Sequence, residues 1–101
     1  MDVIVTGRQG GKTTQLIRRA AEQFAYIVCP DREQVQFIQQ QARQMGLKIP
    51  QPITWDDFIQ RRWHGRGIRA FMLDNLDACI QSMARGVPVT AVTLTDDSPV
   101  T

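Results

Sequence analysis

The chain has little that would tie it to a bound zinc, a disulfide framework or a bilayer. Its 101 residues include two cysteines, Cys29 and Cys79, with no C-x-x-C pair. Each lies in an apolar stretch, so buried free thiols are expected, and neither disulfides nor zinc. His64 is the only histidine, and no cysteine or second histidine accompanies it, which argues against a metal role. No apolar run approaches the ~20 residues needed to span a membrane. The first residues carry Asp2 and a short apolar run, where a signal peptide needs basic residues and a long apolar core. An intracellular, reducing, cytoplasmic setting is therefore expected. Charge of one sign is also scarce. Twelve basic and ten acidic residues leave a net +2, too little to make nucleic acid the default partner, so such binding would need a local patch.

The remaining composition is that of a folded chain, with 43% hydrophobic and 22% charged residues. The length suits one compact domain rather than two. Val3, Ile4 and Val5 read as a short buried strand ended by glycines. Leu16, Ile17, Ala20, Ala21 and Phe24 then mark one face of a helix. "YIVCP" (26–30) is a second strand, stopped by Pro30. Asp31 and Gln34 form a capping-box pattern ahead of a helix with the stripe Val35, Ile38, Ala42 and Met45 and a stop at Gly46. Its many glutamines read as a solvated face. "PIT" (52–54) is a brief strand, followed by a Thr54–Asp57 capping pattern and a short helix with Phe58 and Ile59 as its apolar contacts. "IRAFMLDNLD" (68–77) runs from apolar to acidic, and a helix carrying Leu76, Ile80, Met83 and Ala84 ends at Gly86 and Pro88. "VTAVTL" (89–94) reads as a final strand. Strand and helix alternate about four times. That pattern predicts an α/β fold with a parallel sheet and helices on both faces. One domain is expected over residues 1–95, with a polar, loose tail at 96–101.

The stretch "VTGRQGGKTT" (5–14) carries the strongest chemistry. A triphosphate is bound most economically by backbone N–H groups converging at a helix N-terminus, with glycines allowing close approach and positive φ. The nucleotide-binding set is Gly7, Arg8, Gln9, Gly10, Gly11, Lys12, Thr13 and Thr14. In this reading Lys12 reaches the β- and γ-phosphates and Thr13 offers its hydroxyl to Mg²⁺. The pattern G-x-x-x-x-G-K-[ST] would put its first glycine at position 6, which is Thr6. A second constellation, "FMLDN" (71–75), sets Asp74 at the end of an apolar strand, on the carboxyl edge where open α/β sheets bind ligands. There it would hold the water shell of Mg²⁺. Asp74, Asn75 and Asp77 also suit capping of the next helix. A third, "RRWHGRGIR" (61–69), interleaves Arg61, Arg62, Arg66 and Arg69 with Trp63. It reads either as a contact for nucleic acid, a protein partner or a neighbouring subunit's phosphate, or as a solvated loop with a half-buried Trp. Thr93 and Thr95, near the end of the last strand, are candidate sensors of the γ-phosphate, and strand threonines are the simpler account.

In their order, "TGRQGGKT", "YIVCPDREQ", "FMLDN" and "TLT" resemble the RecA-like ATPase core of viral DNA-packaging terminases and of helicases. The resemblance covers most of the chain but rests on short motifs. It implies a three-layer α/β/α P-loop NTPase fold with a mainly parallel five-stranded sheet, and ATP with Mg²⁺ as ligand. Terminases often have a deviant phosphate loop that lacks the first glycine and contains an arginine, as Thr6 and Arg8 do here, and this implies that Arg8 contacts the γ-phosphate in cis. "CPDREQVQFI" is similar to the helicase segment after the second strand, and "TLT" to the motif that couples ATP state to DNA. Two departures stand out. Such motors place a glutamate after the strand-end aspartate, and here that residue is Asn75; Asp77, the other candidate catalytic carboxylate, lies two positions further on and would point differently. The motors also have a second domain, a nuclease or an arginine-supplying neighbour, none of which fits into 101 residues. The chain is thus similar to a stripped-down motor core of the kind encoded by bacteriophages, acting in the host cytoplasm, with Lys12, Asp74 and Arg8 as its catalytic candidates. Slow hydrolysis, with DNA, a protein or further copies of the chain as partner, is the expectation. A second reading keeps the fold and the binding but no catalysis. A third is a small nucleotide kinase, since thymidine kinases share the core and a basic segment similar to "PDR", but they add a zinc-bearing lobe for which this chain has neither length nor cysteines.

Overall fold

The computed structural model describes residues 3–4, 11–63 and 67–93. Four helices and three strands follow in the order α1 (Lys12–Gln23), β1 (Tyr26–Cys29), α2 (Arg32–Gln44), β2 (Ile53–Thr54), α3 (Trp55–Ile59), β3 (Phe71–Leu73) and α4 (Leu76–Met83). The strands form one parallel sheet in the order β2-β1-β3. Val28 is paired with Ile53 on one side and with Leu73 on the other, which fixes β1 at the centre. All four of its residues are buried, as the continuous apolar run of a covered parallel strand requires.

The core is built where α1 and α2 pack on each other and on β1. Leu16, Ile17 and Ala20 come from α1, Ile27 and Cys29 from β1, and Ile38 and Ala42 from α2, with Ile4, Val35 and Met45 packed against them. Full burial of a side chain such as Ile17, Ile27 or Ile38 contributes about 1.5–3 kcal/mol before the entropy of ordering is counted. Asp31 caps α2 by accepting from the Gln34 N–H at 2.8 Å, and Thr54 caps α3 by accepting from the Asp57 N–H at 3.1 Å. Gly46 and Gly86 take positive φ just past α2 and α4, conformations that glycine adopts without a Cβ penalty.

Several expected features differ. Phe24 ends α1 in the left-handed region at φ 51° and is half exposed, so it leaves the apolar stripe. Met83 and Ile59 are exposed. In α4 the buried position is Cys79. In the five-residue α3, Phe58 makes the aromatic contacts instead. Val3 and Ile4 are not paired in a strand, and Val5 lies outside the described residues. Residues 89–93 are not a strand either, and Leu94 lies outside the described residues. At Val89 the reason is visible: its N–H donates to Gln81 Oε1 and its C=O accepts from Gln81 Nε2. A side-chain amide of α4 therefore takes the two groups that a strand would offer to a ladder.

Candidate functional site

β1 and β3 run parallel, so their carboxyl ends share one edge of the sheet. Asp74 follows β3 there, and its N–H donates to the Val28 carbonyl at 2.9 Å. Its own carbonyl accepts from the Cys79 thiol at 3.5 Å. The residue is 1% exposed. Oδ2 accepts from Gln34 Nε2 at 2.9 Å. Oδ1 is buried and has no partner among the described residues. A buried polar atom left in that state is costly, of order 1–3 kcal/mol, and such atoms invite a functional explanation.

Gln34 was expected to complete a capping box. Only half of the box forms, because the Gln34 N–H is held by Asp31 while its side chain crosses to Asp74. No local pattern distinguishes the two uses of the amide, and Gln34 is the site residue that sequence reasoning missed.

Lys12 is the first residue of α1, directly behind Gly11, whose φ of 69° turns the chain into the helix. Its Nζ donates to Asn75 Oδ1, joining the start of α1 to the segment just after β3. Asn75 sits in the left-handed region at φ 54° and ψ 63° and stands at the N-cap of α4, yet its side chain does not cap that helix. Asn tolerates this backbone better than most residues. Thr13 and Thr14 follow Lys12 in the first turn of α1, half-buried. That turn holds no acidic residue, so no side chain of the turn opposes an approaching anion.

The remaining candidates are placed as follows. Gly7, Arg8, Gln9 and Gly10 lie outside the described residues, as do His64, Arg66 and Thr95. Asp77 is exposed in the first turn of α4, where a carboxylate complements the helix dipole. Thr93 is exposed. In the arginine segment, Arg62 donates to Asp57 at 3.0 Å, to Asp56 at 2.6 Å and to Gln60 at 2.6 Å, and the hydrogen bond to Asp57 leads the causes that raise its pKa. Trp63 packs against Phe58 and Phe71, with ring centroids 6.0 and 5.0 Å away. Arg61 and Arg69 are exposed.

The donor chemistry at the sheet edge is that of hard oxygens. The described residues contain no group of three or more His, Cys, Asp or Glu side chains able to hold a metal by themselves. Mg²⁺ does not require one, since it is commonly held by one or two protein oxygens together with phosphates and water. The buried, unpartnered Oδ1 of Asp74 and the Thr13 hydroxyl suit such a shared arrangement. The thiols do not take part: burial, and then the Asp74 carboxylate, push Cys29 up to about 12 and Cys79 up to about 11, which keeps both protonated and unreactive near neutrality. No helix among the described residues is long and apolar enough to cross a membrane. Comparison with protein-family models, with curated proteins and with solved structures gives no match to this chain.

Proposed function

We propose that the chain is a P-loop protein that binds ATP with Mg²⁺ at the carboxyl edge of β1 and β3, a minimal terminase- or helicase-like NTPase with weak intrinsic hydrolysis. The observation that carries this reading is the contact between Lys12 and Asn75, 63 residues apart, which ties the lysine of the glycine-rich stretch to the residue that follows the buried Asp74. Two motifs that are separate along the chain thus meet at one edge, the edge at which open parallel sheets bind ligands. In this reading Lys12 exchanges the neutral Asn75 oxygen for phosphate oxygens, a stronger, charge-assisted partner. The N–H groups of residues 8–14 line the phosphates, and Arg8 adds positive charge at the γ-phosphate. Thr13 and Asp74 hold Mg²⁺, which when bound neutralises charge on the β- and γ-phosphates. The fold completes as a RecA-like, three-layer α/β/α domain with a five-stranded sheet. DNA, a protein or further copies of the chain act as partners in the cytoplasm.

A second reading, a nucleotide-dependent binding module without turnover, is favoured by one observation. Asn75 is engaged with Lys12 at the position where the motors carry a water-orienting glutamate, and an amide is no general base.

The test is thermal. A ligand that binds only the native state raises the melting temperature, so millimolar ATP with Mg²⁺ is expected to shift the wild type upward. Lys12→Ala is expected to lose about 10- to 100-fold in affinity, the range for a hydrogen bond to a charged group. A wild type that does not shift, or a Lys12→Ala protein that binds as tightly, overturns the proposal. Phosphate release with and without DNA separates the motor from the switch.

A further inference from the structure

We infer that Gln34 is a positioning residue for this site, presenting Asp74 to the metal, an inference that rests on the ATP·Mg²⁺ reading above. Three contacts immobilise Asp74. Its N–H is tied to the central strand, its C=O to the Cys79 thiol, and its Oδ2 to Gln34. Only the last fixes the carboxylate itself. The backbone contacts leave its side-chain torsions open, and the Gln34 amide selects the orientation in which Oδ2 is committed and Oδ1 has no partner among the described residues. Gln34 is in turn held from both ends, since its main chain is clamped at the Asp31 cap while its side chain reaches 40 residues along the chain.

The donor is neutral, which matters for the chemistry. A lysine or arginine in place of Gln34 would neutralise Asp74 and weaken its hold on a cation. An amide donates one hydrogen bond and leaves the negative charge for the metal. Groups that orient a metal-binding carboxylate in this way typically affect metal affinity by 10- to 100-fold when removed. Gln34 touches neither the phosphates nor the metal in this account, so its loss acts through Mg²⁺ alone.

The experiment compares wild type, Gln34→Met and Gln34→Glu by ATP affinity in the presence of Mg²⁺ and in EDTA, with circular dichroism as the check on folding. Methionine keeps the length of the side chain but donates nothing, and glutamate sets a second carboxylate against Asp74. For Gln34→Met, affinity is expected to fall about tenfold with Mg²⁺, with a matching rise in the Mg²⁺ concentration at half-saturation, and to stay within about twofold in EDTA. Gln34→Glu is expected to fall further with Mg²⁺ than Gln34→Met. Equal losses in Mg²⁺ and in EDTA would mean a structural role, and affinities like wild type in both would mean no role; either overturns the inference while leaving the site reading intact. A wild type that itself binds no ATP·Mg²⁺ overturns the site reading, and the positioning role with it.

Discussion

Two regions of the molecule contain comparable side chains and use them differently. Around α3, Arg62 lies between Asp56 and Asp57, on a surface where its side chain is 53% exposed, and Trp63 is packed between Phe58 and Phe71. At the carboxyl edge of the sheet, Lys12 has a neutral amide as its partner, and Asp74 is buried with one oxygen unanswered. The first region looked the better nucleic-acid contact in the sequence, because four arginines flank a tryptophan there. Its structure satisfies two of those residues internally. The second region sets a cation on the neutral residue that follows a buried anion. Availability for a ligand is decided by what each charge already faces, and residue type alone does not report it.

The contrast can be broken most directly by turning the Lys12 environment into one like that of Arg62. Asn75→Asp keeps the size of the side chain, tolerates the left-handed backbone, and gives Lys12 an anionic partner. ATP affinity measured in EDTA, where the new carboxylate cannot recruit Mg²⁺, is expected to fall about tenfold, or about 1.4 kcal/mol. The loss should shrink as salt is added, because an exposed or part-exposed pair is screened. An unchanged or higher affinity would mean that Lys12 does not have to leave residue 75 to bind phosphate.

Much of the local architecture was legible. Four consecutive apolar residues announced β1, the pairs Asp31–Gln34 and Thr54–Asp57 announced the starts of α2 and α3, and Gly46 and Gly86 the ends of α2 and α4. These signals act within a few residues, where backbone geometry and periodicity decide the outcome. What was not legible depends on choices made across the fold. The Gln34 amide could serve Asp31 or Asp74, and the packing of α2 on β1, beside which β3 ends at Asp74, selected Asp74. The run at 89–93 has the composition of a strand, but the Gln81 side chain takes the Val89 backbone groups. The meeting of Lys12 with Asn75 required knowing that the two stretches reach one edge; strand-end reasoning placed Asp74 there and left its partners open.

Burial gives the site region a pH signature. Cys29 and Cys79 have folded-state pKa values raised from 9.0 to about 12 and about 11. Between the unfolded and folded values the unfolded chain has released protons that the native chain still holds. Stability therefore is fully present below about pH 9 and declines as the pH rises toward 11 and 12. Urea denaturation in reductant at several points from about pH 8.5 to 10.5 should show the midpoint of the wild type falling more steeply than that of a Cys29→Ala, Cys79→Ala double variant. Parallel curves would show that these thiols are solvated in the native state.

The smallest effect is expected on the other side of the comparison. Arg62 makes three side-chain hydrogen bonds, and two of them are ion pairs. Both carboxylates lie in α3, a few residues before Arg62, and Arg62 and Asp56 are exposed while Asp57 is half-buried. Exposed pairs of this kind gain little over hydration and give up side-chain freedom to form. Arg62→Ala is accordingly expected to leave the denaturation midpoint within experimental scatter, and ATP affinity with it. A clear loss of DNA affinity in the same variant would make the α3 surface the available one, since a guanidinium already held by two carboxylates would then have to abandon them for a phosphate backbone. Removing Asp56 or Asp57 would in that case free Arg62 and strengthen DNA binding, whereas an internally satisfied Arg62 predicts no gain from either change.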